Sequence, residues 1–393
     1  MKRFDAVVLG LGAMGSAIAY QLAKRRSTVL GLDRYTPPHA QGSSHGDTRI
    51  TRLAIGEGSH YTPLALRSHE LWRGIERETG TSLMTSTGGL IISSTAKTSF
   101  THVEGFFQNT VAAAQKFGIA HELLEASEIR RRYPQFKVSD DEVGYLEKDA
   151  GFLRPEACIR TQLALAQQHG AEIHANEQVV GFDSPGDALT VTTDRATYTA
   201  GRLILAAGPW LPELLASQLA PYFRVYRQVL LWFGIDSDAR SFLPERFPVF
   251  IWELKGRPQG VYGFPAVDGN RGGVKVATES YGSTTTPAGV DRNVAAEEIA
   301  AVYRDYVAPC LHGVSAQCLR AMTCLYTVTP DFGFIIDAHP ASERVLVVSA
   351  CSGHGFKHSA AIGEAVAQLA LDGESRLDLS AFKLDRFGVV APA

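Results

Sequence analysis

A short apolar run, Ala6-Val-Val-Leu9, leads into Gly10-Leu-Gly12-Ala13-Met14-Gly15. Behind it, Met14, Ile18 and Leu22 repeat at helical spacing. A second apolar run, beginning at Thr28, ends at Asp33, 23 residues after Gly10. The order is strand, glycine turn, helix, strand, acid. That order predicts a parallel sheet whose first strand is buried on both faces. Gly10 allows the tight turn, Gly12 lets backbone approach a pyrophosphate, and Gly15 lets helix and strand pack closely. Met14, Ile18 and Leu22 would face the sheet, and Ala13 and Met14 are expected beside the cofactor as part of the turn. Asp33 stands where a carboxylate meets the hydroxyls of an adenosine ribose. Arg34 raises the question of a 2′-phosphate. The acid beside it disfavours that extra negative charge, so an unphosphorylated ribose is expected.

The chain has 393 residues, enough for about two domains at ~150 residues each. Its net charge of −3 gives no reason to expect nucleic acid or an anionic membrane surface as a partner. No apolar run approaches the ~18 residues of a membrane span. Met1-Lys-Arg before an apolar stretch resembles a secretory leader, but Asp5 interrupts it and the glycine spacing explains the apolarity better. Cys158, Cys310, Cys318, Cys324 and Cys351 form neither a CxxC pair nor a zinc spacing. A reduced, cytoplasmic setting is expected.

Residues 34–52 read as a polar loop that returns over the cofactor, with Ser43, Thr48 and Arg49 as donors and Arg52 for an anionic ligand. Leu64–Ile75 is predicted as an amphipathic helix. Residues 83–149 open a second domain. There, residues 83–94 turn strand-like, and helices follow at Val111–Lys116 and Ala126–Arg132. The helix Cys158–His169 and short strands at Glu172–Ala175, Gln178–Phe182, Leu189–Thr193 and Ala196–Thr199 return to the first domain, with Val179 expected beside the cofactor. A buried strand from Arg202 runs into Ala207-Gly208-Pro-Trp210, small residues that would pass beside a nucleotide. Tyr222 to about Thr278 reads as a mostly antiparallel sheet suited to binding substrate. Helices at Asn293–Tyr306 and Ser359–Leu371 are predicted, with Gly373 as the stop of the second. Strands are predicted at Cys318–Tyr326 and Phe334–Asp337.

Three features could carry chemistry. Gly353-His354-Gly355-Phe356-Lys357 follows a buried strand and opens a helix, whose N–H groups would favour an anion. Lys275 lies in an apolar strand, either as an edge residue with its charge in water or as a cation held inside a cavity. Cys324 lies in a strand, where a cysteine is usually a small hydrophobe.

As a set, these residues resemble the family of monomeric sarcosine oxidase and N-methyltryptophan oxidase, among the D-amino-acid-oxidase-like flavoproteins. The resemblance runs nearly end to end. It rests on Gly10–Gly15, Pro37-Pro-His39, Ser44–Arg52, Tyr61–Arg67, Tyr262–Pro265, Cys324–Thr327, Phe334–Asp337 and Ser352–Lys357. It implies an α/β fold with a Rossmann-like FAD domain (1–82, 150–218 and 320–393) and a substrate domain on a mostly antiparallel sheet (83–149 and 219–319). It implies FAD, joined through its 8α-methyl carbon to the sulfur of Cys324. It places Ser43, Ser44, Thr48, Arg49 and residues 353–357 around the flavin, and assigns catalysis to Lys275, Arg49 and His45. Lys275 matches the lysine that activates O₂, since superoxide is an anion formed beside a fixed cation. Arg52 and Lys357 match a clamp for the substrate carboxylate, with Ile251, Tyr262 and Tyr326 around the amine.

The implied reaction oxidises a secondary amine, sarcosine or another N-alkyl amino acid, with O₂ as acceptor. It yields an aldehyde, the primary amino acid and hydrogen peroxide, and the family resemblance suggests a monomer. Two positions depart from the sarcosine oxidase pattern. Ser44 replaces a His beside the flavin. Glu279 replaces a His four residues after the lysine and resembles the Lys…Glu pair of fructosyl amino acid oxidases. A deglycating oxidase is therefore the alternative. A non-catalytic or NAD-binding protein is disfavoured, because NAD has no use for Cys324, Lys275 and the Gly-His-Gly-Phe-Lys run.

Overall fold

The computed structural model describes residues 2–94, 103–184, 189–215, 217–269 and 271–389. Among these residues, eight strands form one sheet. Its path runs Val179–Asp183, Thr190–Thr193, Thr197–Leu205, Arg3–Leu9, Val29–Asp33, Glu172–Ala175. Arg3–Leu9 pairs in parallel with both of its neighbours and is buried along its second half, as the apolar run predicts. Helix Ala13–Lys24 packs against helices Pro155–Gln168 and Ser359–Asp372 beside this sheet.

Two predicted strands, one near Ala196 and one from Arg202, are a single strand, Thr197–Leu205. It changes partners along its length. Thr197–Thr199 pairs antiparallel with Thr190–Thr193, and Leu203–Leu205 pairs in parallel with Ser342–Ser349. Gly201 looks like a break in the sequence. Its place is set by close approach instead, since a Cβ there would stand 2.8 Å from the carbonyl oxygen of Asp5.

A second sheet has nine strands among the described residues, in the order Thr284–Thr285, Arg224–Ile235, Val274–Thr278, Val261–Phe264, Val249–Trp252, Gly89–Ser94, Glu142–Glu147, Glu122–Glu125. Val314–Val328 pairs with Arg224–Ile235 off this path. All of its pairs are antiparallel except Val249–Trp252 with Gly89–Ser94. Phe233, Phe247, Phe250, Trp252 and Val276 are among the residues of its core. A small third sheet joins Arg49–Thr51, Gly151–Leu153 and Met84–Ser86. The loop after Asp33 thus ends in a strand, which fixes Arg49 and Arg52.

The predicted helix from Asn293 is a short α-helix, Ala296–Val302, continued by a π-turn, Tyr303–Val307. None of the described helices is long and apolar enough to cross a membrane.

Candidate active site

The glycine turn builds one end of a cavity of about 1250 Å³. Gly10 has φ +86°. A Cβ on Gly15 would sit 1.7 Å from the Gly10 carbonyl oxygen, so no side chain is tolerated where helix meets turn. Gly15 therefore serves the packing and does not line the cavity. The helix begins at Ala13 with no side-chain cap from Gly12. Ser44 Oγ reaches it, accepting from Ala13 N at 3.2 Å. The first turn is thus left with N–H groups for an anion. Asp33 is buried and its carboxylate is pinned by Leu11 N at 2.8 Å and Tyr35 N at 2.9 Å. Arg34 stacks on Trp210 at 5.5 Å and lies 3.6 Å from Glu213. Val179, Ala207, Gly208 and Trp210 line the same end of the cavity.

A second cavity, of about 640 Å³, shares Arg49, Tyr326, Gly353 and Phe356 with the first. Around that junction the predicted residues converge. Arg49 donates to Ser43 O at 2.7 Å and Thr48 O at 2.8 Å, and its Nη2 lies 3.5 Å from Cys324 Sγ. Cys324 is fully buried. Burial raises its thiol pKa, and Arg49 and Lys275 pull it back down. Lys275 is also buried, so the edge-residue alternative does not apply. Its ammonium donates to Gly46 O (2.8 Å), Thr48 O (3.0 Å) and Thr48 Oγ1 (3.2 Å). The rings of Phe264 and Trp232 lie 4.6 and 5.3 Å from it. Burial and Arg49 press its pKa well below the usual lysine value, while these acceptors and ring faces favour the ammonium. Burial first, then Arg49 and Lys275, hold His45 down at about 3, so its imidazole is neutral.

The acceptors of Lys275 sit on a tight loop. Gly46 and Asp47 both have left-handed backbone, φ +94° and +67°. Asp47 is paired with Arg320, whose guanidinium lies 3.8 Å over Trp232.

The second cavity also holds Arg52, Ile251, Tyr262, Glu279, His354 and Lys357. Glu57, which the sequence reading missed, joins two of them. Arg52 Nη2 donates to Glu57, and Lys357 Nζ lies 3.7 Å from Glu57 and donates to His354 O at 2.6 Å. Arg52 also lies 4.9 Å over Phe106. Glu147, another omission, accepts from Leu53 N (2.6 Å) and Ala54 N (3.0 Å) and so fixes the chain after Arg52. Tyr262 and Tyr326 hydroxyls are 3.1 Å apart, and Tyr281 donates to Glu279 at 3.1 Å. Burial and the nearby Glu279 keep both cavity phenols protonated. Gly355 lets the chain double back, since a Cβ would lie 1.6 Å from Ala350 O. The helix predicted to open here starts as a 3₁₀ turn, Phe356–His358, before the α-helix from Ser359.

The two cavities together suit a long ligand with an anionic middle. One end offers the helix N-terminus and a ribose-type carboxylate; the other offers a cation-lined chamber. Among the described residues, no cluster could hold a metal ion.

Residues 5–369 match the family described as FAD dependent oxidoreductase. The chain is 41% identical to the monomeric sarcosine oxidase of Streptomyces avermitilis over 391 residues, covering 99% of each. It is 35% identical to the N-methyl-L-tryptophan oxidase of Yersinia pestis, covering 98% of this chain and 99% of that one. NikD, described as an unusual amino acid oxidase essential for nikkomycin biosynthesis, superposes at TM-score 0.82 with 26% identity and covers 98% of both chains. Amadoriase I of Aspergillus fumigatus shares the fold, at TM-score 0.76 and 18% identity over 97% of this chain and 89% of that one.

Proposed function

We infer the function from the family to which the chain belongs, the FAD-dependent oxidoreductases, whose members similar to it here are oxidases of amines. The protein is an FAD-dependent amine oxidase. Our reading is that it oxidises the C–N bond of a secondary amine carrying a carboxylate. When bound, FAD supplies the hydride acceptor and hands the electron pair to O₂, giving hydrogen peroxide, while the imine product hydrolyses to an aldehyde and a primary amino acid. The observation that carries this reading is the junction at Arg49, Tyr326, Gly353 and Phe356, with an anion clamp and Lys275 in the second cavity and Cys324, which lines neither cavity, 3.5 Å behind Arg49.

In this reading the turn 10–15 and Asp33 hold the adenosine and pyrophosphate. Ser43, Ser44, Thr48, Arg49 and 353–357 hold the flavin, which Cys324 binds through its sulfur. Lys275, Arg49 and neutral His45 form the catalytic set. Tyr262, Tyr326 and Ile251 confine the amine and exclude water. Arg52 and Lys357 take its carboxylate, so positioning and electrostatics do most of the work. Two domains meet here, and strand Val314–Val328 runs across the boundary proposed at residue 320. We take the protein to act as a cytoplasmic monomer.

The clamp has a pH signature. Burial presses Lys357 down to about 8, with Glu57 opposing and Arg52 adding to the shift. The ammonium is present below that value. Affinity for a carboxylate substrate should therefore be full below about 8 and fall as pH rises through it. Arg52→Ala should raise KM for such substrates by ~10- to 100-fold, from about 1.5–3 kcal/mol for a charged hydrogen bond. An equal loss for neutral amines would argue against a carboxylate clamp.

A second reading, a fructosyl amino acid oxidase, is favoured by one observation: Glu279, held by Tyr281, lines the chamber. Its carboxylate suits hydroxyls or a second cation and disfavours a second carboxylate. Peroxide release over sarcosine, N-methyl amino acids, cyclic imino acids and fructosyl amino acids tests both. Substrates with hydroxyl or cationic groups should lead, and Glu279→His should move preference toward sarcosine. No peroxide from any secondary amine would overturn the reading.

A further inference from the structure

Lys275 is held by a peptide that is itself held from behind. Glu156, in the first turn of helix Pro155–Gln168, accepts through Oε1 from Gly46 N at 2.7 Å and Asp47 N at 3.2 Å. The carbonyl of Gly46 and the N–H of Asp47 belong to one planar peptide unit. Its N–H points at the Glu156 carboxylate and its oxygen accepts from Lys275 Nζ at 2.8 Å. The peptide dipole thus lies between an anion and a cation, aligned with both. A carboxylate on the N–H polarises the unit and makes its oxygen a stronger acceptor.

Other charged and titratable groups face Lys275. From the loop and the strand that follows it come His45, Asp47 and Arg49; from Val314–Val328 come Cys324 and, across Trp232, Arg320. Arg49 repels it. His45 is neutral. The Asp47 carboxylate is engaged by Arg320. On the reading above, Cys324 is bonded to the flavin and carries no charge. Glu156 is the anion aimed at the peptide that Lys275 grips.

We propose that Glu156, through the Gly46–Asp47 peptide, is the positioning residue that keeps Lys275 in its ammonium form. Burial and Arg49 act against that charge, and Asp47 and then Glu156 oppose them, Glu156 alone through a peptide that the lysine itself grips. The proposal rests on the amine oxidase reading for its consequence, since the ammonium is the form that attracts electrons toward O₂. It does not rest on that reading for its test.

The test is an NMR titration of the holoenzyme carrying isotope-labelled lysine. The Lys275 resonance is identified by its loss in Lys275→Arg. Glu156→Gln keeps an oxygen that can accept from both amides and removes the charge. It should lower the Lys275 pKa by about one unit or more, at least tenfold in proton affinity. It should also move the alkaline fall of O₂ reactivity down by the same interval, with anaerobic reduction by the amine retained. Glu156→Ala, which removes charge and acceptor together, should do no less. An unmoved Lys275 titration in a stably folded Glu156→Gln would overturn the proposal, as would an effect confined to Glu156→Ala. Undiminished O₂ reactivity in Lys275→Met would instead overturn the role given to the lysine and leave the titration result standing. If Glu156→Gln fails to fold, Glu156→Asp carries the test, because it keeps the charge. Lys275 should then titrate near its wild-type value, and a fall matching Glu156→Ala would count against the proposal.

Discussion

Lys275→Met should leave anaerobic reduction by the amine substrate largely intact and slow reoxidation by O₂ by ~100- to 1000-fold, the usual cost of removing one preorganised charge from a site. The asymmetry follows from what the two half-reactions need. On the proposed reading the amine is positioned by Arg52, Lys357 and the tyrosines rather than by Lys275. Oxygen is small and neutral and brings no group to be positioned. What helps it accept an electron is a cation already in place, in a buried setting where charge is weakly screened. Met is unbranched like Lys and one heavy atom shorter, so it keeps most of the apolar stem and removes the charge and the donors. It takes the Lys275 donor from Gly46 O and Thr48 O, which keep Thr48 N and Arg49 Nη1 as donors, so the loss is that of a charged hydrogen bond, about 1.5–3 kcal/mol. Thermal unfolding of the variant, alongside Lys275→Arg, separates that loss from the kinetic one. Stopped-flow traces with both half-reactions at wild-type rates would show that the lysine has another task.

The second large effect concerns attachment. Acid-precipitated wild-type protein should stay yellow, and Cys324→Ser should release all of its flavin to the supernatant. Joining the sulfur to the 8α carbon would release the thiol proton and one 8α proton and leave the electron pair on the flavin, for O₂ to take up, and the thiol must become a thiolate to attack. Burial opposes that at Cys324, and the Arg49 guanidinium at 3.5 Å together with Lys275 favours it. A serine hydroxyl in the same place stays protonated. Cys351 lines the first cavity and is the natural control; Cys351→Ser should keep its colour in the pellet. A colourless wild-type pellet with Cys324 intact would rule out the linkage.

The parts of the site legible in the sequence are those whose signal is local. Gly10, Gly12, Gly15 and Asp33 stand at fixed offsets because one turn and one helix place them. The run 353–357 is legible for the same reason. Lys275 and Cys324 were ambiguous, since a cation or thiol in a strand acquires meaning only from what other segments bring to it. The family resemblance supplied that meaning. Glu57, Glu147 and Glu156 were missed because each acts chiefly on backbone groups or on residues placed by other segments. Glu147 binds the amides of Leu53 and Ala54 from 94 and 93 residues away. No spacing or composition encodes an acceptor for a backbone N–H that distant. The single strand Thr197–Leu205 was read as two for a related reason. Gly201 resembles punctuation until the neighbouring chain at Asp5 is seen to need the space.

Residues 46–48 are gripped by partners far off along the chain. Glu156 is 110 residues away, Lys275 is 229 from Gly46, and Arg320 is 273 from Asp47. Contacts of such separation carry the largest loop-closure cost and form only when distant segments have docked. The left-handed pair Gly46–Asp47 has little local reason to hold its shape without them. The shape of this loop therefore depends on the docking of three separate segments, and so does the place of the cation that it holds.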